Sequence, residues 1–270
     1  MPRPMCPLCT NDDEVTILEV LPDGRKRARC AACKFEWDHG EVKEPKKLQI
    51  MSEVEARGRF PKASDVDPEV MERAEMLKAR FLAEVRPRPD PRIPIFWAKY
   101  QQVFSAEGLP ACDPGELKDF ANDPTGVYVG NMSVFNNAWN ALGVAEASKQ
   151  TRQVIDYLLR GTDRSLEERL TALINGEFAF SITGFKEALL TKVLSIMHPN
   201  RFLTIVTYDQ KAEMARAVYG LELPPQDRVA WTIGRLVVWS NDLLNELTGD
   251  GFADRPHAGA FLWWASEELA

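Results

Sequence analysis

Four of the five cysteines in this 270-residue chain stand in two pairs of identical spacing, Cys6-x2-Cys9 and Cys30-x2-Cys33. A C-x2-C loop turns back on itself and aims both sulfurs at one point. Two such loops close a tetrahedron of thiolates, the donor set of a structural Zn²⁺. Four thiolates leave no coordination position for water, so the predicted role of one Zn²⁺ on Cys6, Cys9, Cys30 and Cys33 is structural. The expected compartment is a reducing cytoplasm, which disfavours the alternative of two disulfides. His39 is a substitute ligand by position, although an exposed or internally satisfied histidine is the simpler expectation.

Between the pairs, Val15 to Val20 and Arg25 to Arg29 read as two strands joined through Pro22-Asp23-Gly24, since Asp-Gly between extended runs is a turn signal. Lys34 to Gly40, with Phe35 and Trp37, reads as a third short strand. The segment resembles a zinc ribbon, from its glycine-bearing tip to the trailing Trp37. It holds too few apolar side chains to fold alone, so metal binding supplies the folding free energy, about 10 kcal/mol or more in comparable small sites.

Charge constrains the partners. The net charge is -7, which argues against a chain that coats nucleic acid nonspecifically. Residues 1–48 carry nine basic and nine acidic residues, leaving twenty-four against thirty-one in the rest. Arg25, Lys26, Arg27 and Arg29 bunch at the hairpin tip. There they are candidate phosphate contacts, or cations that guard a sheet edge from pairing with another. Zinc ribbons also dock proteins, so the motif identifies a fold more firmly than a ligand. The chain holds 45% hydrophobic residues and no apolar run long enough to cross a bilayer, so a globular, soluble protein away from the membrane is expected.

The fold class predicted is mainly α, a small β zinc ribbon followed by a multi-helix domain. The ribbon is placed at 1–42 and a linker at 43–94. That linker includes the polar stretch Glu41 to Lys47, one helix over about 68–85 opened by Asp67-Pro68, and a proline-rich connector from Arg86 to Pro94. An all-helical domain occupies 95–270. There apolar residues recur at three and four positions, and Ser165-x-x-Glu168 reads as a capping box. The tryptophans at 97, 139, 231, 239, 263 and 264 read as core and helix-contact residues rather than base-stacking platforms, and Cys112 as a bystander thiol.

No nucleophile elbow, phosphate loop or dinucleotide fingerprint is present, and three scattered histidines give little support to a histidine-based centre. The stretch Ile182-Thr183-Gly184-Phe185-Lys186 reads as a tight turn feeding a helix N-terminus, whose free amides suit an anion such as a DNA phosphate. Gly184 and Lys186 are therefore candidate nucleic-acid contacts.

Two resemblances meet at this stretch. Residues 96–268 resemble an accessory region of 5-methylcytosine-specific restriction ATPases and related stand-alone proteins. The likeness is carried by Phe120-Ala121-Asn122, Gly130-Asn131-Met132-Ser133 with Phe135-Asn136, Gly184-Phe185-Lys186 through Phe202, Tyr208-Asp209-Gln210-Lys211 and Ser240-Asn241-Asp242-Leu243-Leu244. It implies an accessory or targeting role without ATPase activity. Gly184, Lys186 and Ala188, with Asp209 downstream, are similar to the helix-hairpin-helix DNA glycosylases. That likeness implies Lys186 as the nucleophile on the sugar and Asp209 as the stabilising carboxylate. The alternatives are an ordinary first-turn lysine and a helix N-cap. The expected function is a zinc-ribbon adaptor without a catalytic centre of its own, engaging DNA or a DNA-processing protein in bacterial genome defence. The competing expectations are a base-excision enzyme and a pure protein-interaction module.

Overall fold

A computed structural model describes residues 4–10, 13–22, 25–40 and 50–270, and the chain divides into two units, Met1–Gln49 and Ile50–Ala270. The first carries a three-stranded antiparallel sheet of β1 (Val15–Val20), β2 (Lys26–Cys30) and β3 (Glu36–His39), in that order. Register sets Ile17 and Trp37 on either side of Ala28, and slips at Leu18 so that Glu19 faces Arg27. The chain returns from β1 to β2 through the Leu21 N–H, which donates to the Arg25 carbonyl at 2.8 Å. Its predicted turn residues Asp23 and Gly24 lie outside the described residues, as does the polar stretch Glu41 to Lys47.

The second unit is helical: α1 (Glu53–Arg59), α2 (Pro68–Arg80), α3 (Arg92–Val103), α4 (Gly108–Ala111), α5 (Pro114–Asn122), α6 (Ser133–Leu142), α7 (Val144–Arg160), α8 (Leu166–Asn175), α9 (Glu187–Met197), α10 (Tyr208–Tyr219), α11 (Ile233–Thr248) and α12 (Arg255–Glu268). Local chemistry starts several of them. The Asp67 and Asp113 carboxylates accept the N–H groups of Glu69 and Gly115 at 2.8 and 2.7 Å, each followed by proline. Ser165 and Glu168 form a reciprocal capping box. Helix α9 is buried along Leu189–Ile196 and packs against α3, α7 and α8, while α11 packs on α8 and α10. Among the described residues no helix is long and apolar enough to cross a membrane.

The predicted linker differs from 50 onwards. Ala56, Phe60, Val66, Ala74 and Phe81 join the core of the second unit. The Phe60 ring meets Trp239 edge-on at 5.7 Å, and the Arg57 guanidinium lies 4.3 Å over the same indole. Ala74 and Phe81 belong to the predicted helix, whereas Ala56, Phe60 and Val66 are single residues on or beside short elements that no helical periodicity reports. The helix expected to run to Val85 gives way after Arg80 to a π turn, Phe81–Val85, closed by the Arg86 N–H on the Phe81 carbonyl at 2.9 Å. The extended connector is shorter than expected, because α3 begins at Arg92 with Pro94 in its first turn. A missing N–H costs nothing there.

Candidate metal centre and helical unit

The two cysteine loops have the same local geometry. The Thr10 N–H donates to the Cys6 carbonyl and the Lys34 N–H to the Cys30 carbonyl, both at 2.9 Å. Thr10 and Lys34 have φ values of 56° and 64°, the left-handed region that lets a chain fold back behind its sulfurs. The four Sγ atoms lie within 4.8 Å of one another, with Cys6 to Cys33 and Cys9 to Cys30 at 3.5 Å. A tetrahedron of thiolates about one ion, with metal–sulfur bonds near 2.3 Å, has edges of about 3.8 Å. These four residues can therefore hold one metal ion. Burial opposes ionisation of the Cys6 thiol, but the N–H groups of Cys9 and Leu8 and the neighbouring thiols outweigh it and bring its pKa down to about 7. The Phe35 N–H favours the Cys33 thiolate, yet burial and the adjoining Cys6 and Cys30 sulfurs leave its pKa raised. His39 lies opposite Lys26, at the far end of β2 from Cys30, and takes no part in the cluster.

The tip cations are placed by the same sheet. Arg27 bonds Glu19 at 2.9 Å and Asp38 at 3.3 Å, Arg25 reaches Asp38 at 3.5 Å, and Arg29 reaches Glu36 at 3.7 Å. The bunched arginines are thus a ladder of cross-strand ion pairs, which strand register creates and linear charge counting misses.

In the helical unit, Gly184 adopts φ 86°, and a Cβ there would sit 2.5 Å from the Phe135 backbone nitrogen. The turn therefore backs onto the first turn of α6. Lys186 is the N-cap of α9, but its ammonium reaches the end of α8, donating to the Ile174 carbonyl at 2.6 Å and the Leu173 carbonyl at 3.5 Å. Burial alone lowers its pKa. Among the described residues it has no carboxylate partner. Asp209 is exposed in the first turn of α10, whose N-cap is Thr207. The structure does not bring Lys186 and Asp209 into contact.

Three further charged residues are half-buried or buried. Glu187 accepts the Tyr208 N–H at the start of α10, and burial raises its carboxyl pKa despite that bond and the nearby Lys211. Lys192 is fully buried and donates to the carbonyls of Phe120 and Asp123 at the end of α5. Lys211 is fully buried and donates to the Val237 carbonyl at 3.2 Å. Burial pushes both ammonium pKa values down to about 8. The residues that carry the restriction-type likeness also bind one another. Asn122 and Asn136 exchange reciprocal amide bonds at 3.1 and 2.8 Å, and Asn241 holds both the Leu203 N–H and the Arg201 carbonyl at 2.9 Å. Of the six tryptophans read as core, Trp97, Trp139 and Trp239 are buried, Trp231 and Trp264 half-buried, and Trp263 exposed.

No protein-family model, curated protein or solved structure matches the chain.

Proposed function

We propose that the protein is a zinc-ribbon adaptor that engages DNA, its helical unit serving as a targeting scaffold in the restriction setting that the resemblance of residues 96–268 implies. The observation that supports this reading is the convergence of Cys6, Cys9, Cys30 and Cys33 from two loops of matching geometry. A closed tetrahedral thiolate set suits Zn²⁺ and leaves no position for a reactive water, so the ion organises the sheet that carries the tip. Arg27 and Arg29 already sit in exposed ion pairs, and Arg25 in a partly exposed one. Such pairs are worth about 0–1 kcal/mol, so exchanging a carboxylate for a phosphate there costs little. Lys26, opposite His39, has no carboxylate partner among the described residues.

The experiment is a duplex DNA gel shift run against salt, with elemental analysis of the purified chain. One zinc per chain is expected. Replacing Arg25, Lys26, Arg27 and Arg29 with alanine should weaken binding and flatten the slope of log affinity on log salt, by about 0.9 for each phosphate no longer neutralised. Iron in place of zinc overturns the metal assignment. An unchanged slope in the alanine variant removes the tip from the interface.

A further inference from the structure

A cleft of about 640 Å³ in the helical unit opens where the segment after the π turn, the loop after α5 and the face of α12 meet. Its size falls in the range of small-molecule sites. Its walls include Arg86, Asp90, Arg92, Gly126, Tyr128 and Trp263. We propose that this cleft binds the nucleotide unit of a single-stranded nucleic acid, with the base against Trp263 and Tyr128 and the phosphate at Arg86 and Arg92.

Four observations lead there. First, the aromatics are on display: Tyr128 is 72% exposed and Trp263 37%, in a unit that buries or half-buries its other tryptophans. Flat aromatic faces at a wet cleft suit an unstacked base, with stacking worth about 1–3 kcal/mol per base. Bases in a duplex are already stacked and cannot present that face, which selects a single strand.

Second, the charge is of the right sign. The Arg86 side chain makes no ion pair with a carboxylate among the described residues. The cleft's one carboxylate, Asp90, is consumed by Arg92 in a fork of bonds between 2.6 and 3.2 Å. The lining therefore carries a net positive charge inside a chain of net charge -7. The same fork fixes the Arg92 guanidinium in one orientation, which suits phosphate recognition.

Third, Arg86 is held in place by a dedicated device. It follows the π turn, a feature that often marks functional sites. Its carbonyl accepts a bond from His257 Nε2 at 2.7 Å, a tautomer fixed by Nδ1 accepting the Ala253 N–H at 3.4 Å.

Fourth, the wall at Gly126 is thin and polar behind. The Trp97 indole N–H is buried without an acceptor among the described residues, and a Cβ on Gly126 would lie 3.3 Å from it. Thr204 and Gln210 add neutral hydrogen-bonding groups suited to base edges.

The cleft and the ribbon tip share only their class of ligand. Their residues differ, so the two readings fail separately. The test is fluorescence anisotropy of a labelled short oligothymidylate with the full chain, competed by thymidine monophosphate. Trp263→Ala and Arg86→Ala should each weaken binding, the tryptophan by roughly 5- to 150-fold, while Trp263→Phe, which keeps a stacking face, retains most of it. Competition by the mononucleotide would show that one base and its phosphate suffice. Binding through the cleft without such competition would assign the site to a strand. Tyr128→Ala, at a largely exposed position, serves as a third variant should either of the others fold poorly. Wild-type binding that none of these variants weakens overturns the site and leaves the ribbon reading untouched. A wild type that binds neither probe overturns it as well, whatever the duplex gel shift shows.

Discussion

The residue that carries most strain in the metal loops is not a ligand. Lys34 and Thr10 hold φ values near 60°, where a side chain costs about 1–2 kcal/mol that glycine does not incur. Lys34→Gly should therefore make the folded, metal-bound loop more favourable by about 1 kcal/mol, less the added chain entropy of glycine. The readout is a severalfold slower loss of metal to a competing chelator; faster loss would mean that the lysine side chain contributes more than its backbone costs. The buried ammonium groups make a second residue-scale prediction. An unfolded lysine holds its proton to about pH 10.4, whereas Lys192 and Lys211 release theirs near pH 8 in the fold. Between those values the unfolded chain binds more protons, so stability rises with pH, on the order of 2–3 kcal/mol for each lysine. Asp123 beside Lys192, and Glu187 and Asp242 near Lys211, limit the effect, and Tyr100, Tyr208 and Tyr219, whose hydroxyl pKa values burial raises, reverse it above about pH 10. Urea unfolding across pH 8 to 10 should show the climb in the wild type and a flatter profile in Lys192→Met and Lys211→Met. At this scale the four cysteines were legible because their spacing alone encodes geometry. The lysines were not, since nothing in a linear sequence says that the Lys192 ammonium will find the carbonyl end of α5, or that of Lys211 a carbonyl within α11.

At the scale of elements, the turn into α9 decides between a ligand seat and a packing joint. Gly184→Ala places a Cβ 2.5 Å from the Phe135 nitrogen and 2.6 Å from its Cα, in a left-handed backbone. Both neighbours are backbone atoms, so α6 or the turn must move, and the expected loss is about 3 kcal/mol or more in urea unfolding. A glycine kept free only for a phosphate would lose DNA affinity without losing stability. Lys186→Met tests the other half of the turn. It removes a charged donor from the last carbonyls of α8, where the helix dipole favours a cation, and should cost about 1–2 kcal/mol. Capping signals and periodicity make α2 and α8 readable, because those determinants are local. The start of α11 has no such local signal. Arg228 falls in a loop that Asp227 organises by accepting the N–H groups of Val229, Ala230 and Trp231, and the helix begins only at Ile233. The same locality explains the misread segment 50–94, whose helices are held by Trp231, Trp239 and the α10 and α12 faces rather than by their own pattern.

For the whole molecule, the two units differ in what makes them stable, and that difference is open to experiment. Among the described residues of Met1–Gln49 the fully buried side chains are Cys6, Ala28 and Cys30, two of them members of the cysteine cluster. Ile17, Leu18, Val20 and Phe35 remain exposed, so apolar burial cannot offset the entropy of ordering three strands. The unit Ile50–Ala270 has the opposite character, with one contiguous core running from Ala56 to Ala265 and containing none of the four clustered cysteines. Stripping the metal with a strong chelator should therefore unfold the first unit alone. Limited proteolysis should then cut within β1 to β3, and Trp37 should become accessible to an aqueous quencher, while the helical far-UV signal and the urea midpoint of the second unit stay where they were. Cys30→Ser should reproduce the chelated state without chelator, because three thiolates and a hydroxyl make a far weaker zinc site. A helical signal that collapses together with the metal would show that the second unit depends on the first. A ribbon that resists protease after metal loss would show that its sheet finds stability elsewhere. Either outcome contradicts the division of labour in which a thiolate-bound ion organises one unit and hydrophobic burial the other.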